Sequence, residues 1–258
     1  MHPVLFEIFG VPVSSFGVLM SCGFLVGTWI TTIRMREEGL DPDLWGVMLL
    51  CVLVGGVAGA KLYFAADTAL RSGAGWLPLL GAASGMTWYG GLLGGFLGAA
   101  LGARLCRISL KVFADCVCIG LAVGQAIGRV GCLLVGDDYG RPTDAPWGVA
   151  FPHGSPPTSV PVHPTQVYEI LWLLPVALLL WRRRRASPFL CGEYLALHGL
   201  GRLVIEHWRV NPELALGLSQ AQWFALGLIA YAAATLGYYR RRTRIEGGPG
   251  VRVRRWLR

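Results

Sequence analysis

Apolar residues run along this chain in long blocks, with charges crowded into the gaps between them. Seven blocks lie near 15–33, 45–66, 88–105, 112–130, 165–181, 189–207 and 219–239. Each approaches the roughly 20 residues that a helix needs to cross a hydrocarbon core of about 30 Å. The pattern predicts an all-α integral membrane protein of about seven transmembrane helices, forming a single transmembrane domain over 1–258. Several blocks are short or broken by glycine, which a bilayer accepts only where backbone is buried in protein or faces a water-filled cavity. The longest hydrophilic stretch, 131–163, is expected to be an outer loop, and 240–258 a basic tail. No internal repeat and no soluble domain interrupts the series. The first long block, from Phe16, has no Lys or Arg in the ten residues that open the chain and ends at Arg34 and Arg36. That flank pattern describes a retained helix rather than a cleaved secretory signal.

Composition agrees. Only 15% of the 258 residues are charged and 54% are hydrophobic, against about 25% charged in a typical soluble domain. The 36 glycines suit helices that pack closely in lipid. Seventeen of the 23 basic residues fall after the first, third, fifth and seventh blocks: Arg34, Arg36, Arg104, Arg107, Lys111, Arg182 to Arg185, and eight arginines of the tail. The positive-inside rule then places the N-terminus outside, in the periplasm, and the C-terminus in the cytoplasm. The net charge of +8 is mostly this asymmetry, so Arg240-Arg241-Arg242 is expected to meet anionic lipid, not nucleic acid. The seven cysteines (22, 51, 106, 116, 118, 132 and 191) form no C-x-x-C and accompany no His cluster. Neither a disulfide framework nor a metal site is expected, and no phosphate loop signals a nucleotide cofactor. The cysteines read as small packing residues, with Cys132 set apart by its position.

Ionisable groups at membrane depth are costly and mark candidate function. Four segments stand out. In Gly128-Arg129-Val130-Gly131-Cys132, continuing to Gly136-Asp137-Asp138-Tyr139-Gly140-Arg141, an arginine ends a helix before a glycine-rich turn with two carboxylates. Its guanidinium offers a fork for a phosphate, and the glycines let backbone amides approach an anion. In His198-Gly199-Leu200-Gly201-Arg202 up to Glu206, Arg202 and Glu206 stand i,i+4 with His198 one turn earlier on the same face. In Gly85 to Gly95, Trp88-Tyr89-Gly90-Gly91 opens the third block, and Gly91 with Gly95 fits a close-packing G-x-x-x-G. In His163-Pro164-Thr165-Gln166-Val167-Tyr168-Glu169, the proline reads as a helix start with Glu169 near the positive end of the dipole. Lys61 is an ammonium within the second block that needs a partner, with Asp115 and a lipid phosphate both open.

Taken in order, these segments resemble the prolipoprotein diacylglyceryl transferase family. The resemblance rests on the Gly128–Arg141 run, Pro146-Trp147-Gly148-Val149-Ala150-Phe151-Pro152, His163-Pro164-Thr165-Gln166-x-Tyr168-Glu169 and Gly201-Arg202-x-x-x-Glu206, with Phe16-Gly17 and Tyr89-Gly90-Gly91-Leu92-Leu93-Gly94-Gly95 in support. It covers nearly the whole chain. It implies seven helices in the bacterial inner membrane and transfer of diacylglycerol from phosphatidylglycerol to the lipobox cysteine of a prolipoprotein signal peptide, releasing glycerol phosphate. Arg129 matches the family's signature arginine, Arg202 and Glu206 its second arginine and carboxylate, Asp137 takes the place of a glutamate, and Gly140 closes that motif.

On this resemblance Arg129 and Arg202 hold the phosphate, Glu206 orients Arg202, and Asp137 orients Arg129. His198 is the candidate base for the thiol, with Tyr89 as hydrogen-bond partner, and Gly90, Gly91, Gly140, Cys132 and Lys61 complete the lipid-binding set. The chain departs from the common pattern in having Tyr89 where a histidine is usual, His198 for a tyrosine, Cys132 for an asparagine, Phe16 for a tyrosine and Lys61 for an arginine. It looks closer to a branch with Tyr-Gly-Gly. The alternatives are a paralogue acting on another lipid donor or acceptor, a non-catalytic membrane-binding homologue, and a transporter whose Arg–Glu pair lines a pathway.

Overall fold

The computed structural model describes residues 4–8, 11–72, 75–81 and 85–245. The tail from 246 onward and the side chain of Trp88 lie outside the described residues. The chain opens with a hairpin of β1 (Val4–Ile8) and β2 (Val11–Ser14), followed by α1 (Ser15–Glu37), α2 (Leu44–Ser72), α3 (Trp76–Gly81), α4 (Trp88–Leu105) and α5 (Leu110–Val135). A hairpin of β3 (Val149–Phe151) and β4 (Thr158–Val162) precedes α6 (Thr165–Arg183) and α7 (Leu190–Ile205). A 3-10 turn over Glu206–Trp208, a hairpin of β5 (Glu213–Ala215) and β6 (Leu218–Ser219), and α8 (Gln220–Ile245) end the described chain.

A long helix lies over each of the seven apolar blocks. Three of them, α1, α2 and α5, are long and apolar enough to cross a membrane. Their outward residues are themselves apolar: Leu25 and Trp29 on α1 and Leu50, Val54 and Leu62 on α2 are exposed, as expected of a surface meeting lipid rather than water.

The fold is mostly helical, and connecting segments pair their own backbone as three antiparallel two-stranded hairpins. Such pairing satisfies amides and carbonyls that would otherwise be orphaned near the bilayer. Helix α5 runs on past the end of the fourth apolar block, to Val135. The apolar run Gly131 to Val135 prolongs α5 by more than a turn, so Cys132 is helical. The helix stops at Gly136, whose φ of 74° takes it left-handed while its N–H and that of Asp137 both donate to the Cys132 carbonyl.

The described residues divide into two units, one holding the chain up to Arg34 and from Ala114 onward, the other Met35–Phe113. In the first, Cys118, Ile119 and Ala122 of α5, Val176, Ala177 and Leu180 of α6, and Leu190 and Tyr194 of α7 form a buried cluster. Cys116 and Cys118 are fully buried, and all seven cysteines are free thiols. In the second unit α2 and α4 pack backbone to backbone. A Cβ on Gly55 or Gly94 would strike the carbonyl oxygen of the other, and Gly59 and Gly90 stand in the same relation.

Candidate active site

The end of α5, the turn after it, the start of α6 and the end of α7 bring seven of the expected residues (Arg129, Cys132, Asp137, Gly140, His198, Arg202 and Glu206) together within the first unit. α6 begins at Thr165 behind Pro164, whose ring fixes φ near −76° and whose missing N–H costs nothing at a helix start. The first turn of α6 then holds the Asp137–Asp138 turn in place. Thr165 Oγ1 donates to the Asp138 carbonyl at 2.7 Å, and the buried Gln166 donates through Nε2 to the Asp137 carbonyl at 2.5 Å. Asp138 itself sits at φ 63°, which aims its side chain back toward the end of α5.

Arg129, one and a half turns before the end of α5, makes an ion pair with Asp138 at 2.7 Å and another with Glu169. Arg202 on α7 reaches the same Glu169 carboxylate at 3.1 Å and Glu206 at 3.1 Å. A third guanidinium, from Arg209, pairs with Glu169 at 3.1 Å and with Asp138, and lies 3.8 Å from Glu206. Three arginines therefore converge on one carboxylate at the second turn of α6. Glu206 is fixed separately by Asn211 Nδ2 at 2.6 Å and Ser219 Oγ at 2.7 Å. Burial of this kind is tolerable only because each charge finds opposite charge.

His198 lies one turn before Arg202, its ring beside that of Tyr194 with centroids 5.6 Å apart. Tyr194 in turn donates its hydroxyl to Gln125 Oε1 at 2.9 Å. The Cys132 thiol lies 3.6 Å from Arg129 Nη1 and next to the Asp137 carboxylate. Cys132 is thus the one cysteine built into the charged cluster rather than into plain apolar packing. Beside it a polar aromatic chain closes the rim: Trp147 Nε1 donates to Tyr168 Oη at 2.8 Å, and Tyr168 Oη lies 2.9 Å from His163 Nδ1.

Some expected roles change. The carboxylate that grips Arg129 from the turn is Asp138, not Asp137, because helix α5 ends one residue too early to point Asp137 at the guanidinium. Gly140 stands where neighbouring groups approach its backbone closely. Its N–H is taken by the His163 carbonyl at 2.8 Å, and a Cβ there would meet the Trp208 carbonyl, Thr165 Cγ2 at 2.9 Å and His163 Cβ at 3.0 Å. Gly90 packs against α2 in the same way, which accounts for its lack of a side chain, while Gly91 has room, with nothing nearer than 3.7 Å. Tyr89 is exposed in the first turn of α4, and Lys61 sits over the Phe64 ring at 5.7 Å; both belong to the second unit.

Sequence reasoning passed over Arg209, Glu169 and Asp138. Arg209 lies just beyond the sixth apolar block, where no motif singles it out, and Glu169 reads as a helix-start residue. Two signals pointed to them: a lone carboxylate inside an apolar block, and Arg209 standing i,i+3 from Glu206.

Asp138 lies outside the helices, and two opposing effects act on its carboxyl group. Burial favours the protonated form, but Arg209 and then Arg129 outweigh it and hold the carboxyl below its usual range. Three guanidiniums held in place by carboxylates are chemically able to receive an anion wherever one of their forks is released.

Comparisons with known proteins identify the family. Residues 3–238 match the family described as Prolipoprotein diacylglyceryl transferase. The phosphatidylglycerol–prolipoprotein diacylglyceryl transferase of Clostridium tetani is 32% identical over 234 residues, covering 88% of this chain and 93% of that protein. Its namesake from Dehalococcoides mccartyi strain 195 is 31% identical over 252 residues, covering 94% and 95%. That of Geobacter sulfurreducens is 30% identical over 250 residues, covering 92% and 93%. With the arginine cluster and the apolar helices already described, the chain belongs to the prolipoprotein diacylglyceryl transferase family of membrane proteins.

Proposed function

We propose that this chain transfers the diacylglyceryl group of phosphatidylglycerol to the lipobox cysteine thiol of prolipoproteins. The observation that carries the reading is the convergence of Arg129, Arg202 and Arg209 on Glu169. In the reaction the cysteine sulfur attacks the glyceryl carbon of the lipid. A C–S bond forms, the C–O bond to phosphate breaks, and glycerol phosphate leaves with the electron pair. Negative charge grows on the departing phosphate, which is where Arg129 and Arg202 supply fixed positive charge. Glu206, held by Asn211 and Ser219, orients Arg202.

The thiolate is the nucleophile, and a free thiol near pKa 8.5 is mostly protonated at neutral pH. His198 takes the thiol proton in this scheme, because it is the imidazole on the face of α7 that carries Arg202. Tyr89 serves as a hydrogen-bond partner on the strength of the sequence resemblance, and Gly91 and Lys61 contribute to lipid binding on the same ground. Asp137, beside Cys132, is a polar wall of the site. The proposal includes seven spans, a periplasmic N-terminus, a cytoplasmic C-terminus and residence in the bacterial inner membrane, supported by the distribution of arginines along the chain.

The test is complementation of a strain depleted of its own transferase, reading lipoproteins by mass spectrometry. The expected result is a diacylglyceryl mass gain that disappears with Arg129→Ala or Arg202→Ala. Good membrane expression with no mass gain would overturn the reading in favour of another lipid donor or acceptor.

A further inference from the structure

Among the groups that form ion pairs at the site positive and negative charge balance, and the Asp137 carboxylate stands beside Cys132 as well. Three guanidiniums, Arg129, Arg202 and Arg209, face three carboxylates, Asp138, Glu169 and Glu206. A phosphodiester entering this neutral network brings one more negative charge. It binds well only if a carboxylate lets go of its arginines.

The three carboxylates are not equally placed to do so. The Glu206 side chain is 2% exposed and accepts hydrogen bonds from Asn211 and Ser219. The Glu169 side chain is 12% exposed, rides on α6 and binds all three arginines. The Asp138 side chain is 44% exposed, stands on the turn beyond α5 and binds only Arg129 and Arg209. Asp138 is the carboxylate of the three that most reaches solvent, so it regains most hydration on leaving its arginines, and a short side chain on a turn loses few contacts by rotating outward. The backbone of Asp138 stays anchored through its carbonyl to Thr165, so the side chain can move without the turn moving.

We propose that Asp138 is a displaceable counter-anion: it neutralises Arg129 and Arg209 in the resting site, and the phosphate of the lipid donor replaces it on both. The inference rests on the transferase reading of the site. It assigns Asp138 a positioning role rather than a catalytic one, and it makes Arg209 a phosphate ligand alongside Arg129. A phosphate suits the exchange because its tetrahedral oxygens span two guanidinium forks where the carboxylate now does so. Once the carboxylate turns outward, the network carries one unit of positive charge and the phosphate restores neutrality.

The direction of the effect separates this from a structural role. If Asp138 competes with phosphate, Asp138→Asn lowers the KM for phosphatidylglycerol and the inhibition constant of glycerol phosphate together, by about three- to tenfold. Asp138→Glu keeps the charge and keeps both constants near the wild-type values. If Asp138 only braces the arginines, Asp138→Asn raises KM or leaves it unchanged, and the proposal is overturned. A second readout uses the unmodified chain in detergent. Carbodiimide with glycine amide labels accessible carboxylates, and peptide mass spectrometry reads Asp138. Added glycerol phosphate or inorganic phosphate is expected to increase labelling of Asp138 at least about threefold, as the carboxylate leaves its arginines; unchanged or reduced labelling overturns the proposal. Because labelling needs no turnover, it decides the point even where the transfer assay itself fails, which would instead count against the transferase reading.

Discussion

Helices α6 and α7 are tied by an arginine–glutamate pair at each end, and the two ties are built differently. At one end Arg183 grips Glu193 through two parallel contacts of 2.7 and 2.8 Å, and Ser187 adds a hydrogen bond of 2.9 Å. Every group there is satisfied locally, and the Arg183 side chain is 44% exposed. At the other end Glu169 of α6 takes Arg202 of α7 and then Arg129 and Arg209 as well. The first arrangement is a clasp. The second gathers positive charge from three separate segments at one point, beyond what joining two helices requires. The same residue types thus brace the bundle at one end and build the proposed phosphate site at the other, and the difference lies in how many arginines share each carboxylate.

That contrast can be broken experimentally. The largest effect is expected from Arg129→Ala or Arg202→Ala, which should lower transfer by at least about 100-fold. Arg183→Ala should change it less than about twofold, and all three are read as diacylglyceryl product from membranes of matched expression. Loss of transfer in Arg183→Ala would erase the distinction between the two ends. Next, Glu169→Gln leaves three guanidiniums short of a counter-charge and should cost about 3 kcal/mol of stability. Glu193→Gln, next to an exposed arginine, should cost about 1 kcal/mol or less. Melting curves in detergent compare the two, and equal losses would refute the assignment.

A smaller effect sharpens the comparison through packing. Gly140→Ala forces a methyl group against Trp208, Thr165 and His163, with an expected cost of about 1–3 kcal/mol and a fall in transfer as the Asp138 turn shifts. The smallest effect is in pH. Arg209 and Arg129 depress the Asp138 carboxyl in the folded chain. Its contribution to stability is therefore complete above its unfolded value of about 3.9 and is lost as pH falls through the lower folded value. The melting temperature of the wild type should drop toward that of Asp138→Asn below about pH 4. A constant difference between the two across that range would exclude the coupling.

Helix positions were legible in the sequence because apolar blocks in a low-charge chain have few other readings. Their ends were less so. Gly131 to Val135 looked like a loop because glycine precedes it, yet its apolar character carries α5 on until Gly136 turns left-handed. Arg202 and Glu206 were legible from spacing, since i,i+4 places opposite charges on one helical face, and Arg129 as a charge at the end of an apolar block. Arg209, Glu169 and Asp138 were not, because each contributes from a different segment and only tertiary folding sets them side by side. The glycine spacing in the sequence pointed to close packing without saying against what. Gly90 and Gly140 lack side chains because neighbouring backbone occupies that space, a reason that a motif with no partner helix in view cannot disclose.

The backbone contact between α2 and α4 has a consequence for how this part of the molecule tolerates change. Where helices touch through side chains, a larger residue can be accommodated by a neighbour adopting another rotamer. Here Gly55, Gly59, Gly90, Gly94 and Gly98 face main-chain oxygen, which has nowhere to go. A saturation library across both helices should therefore show a comb of forbidden positions about four residues apart, rejecting alanine as firmly as lysine, while the leucines between them accept most apolar replacements.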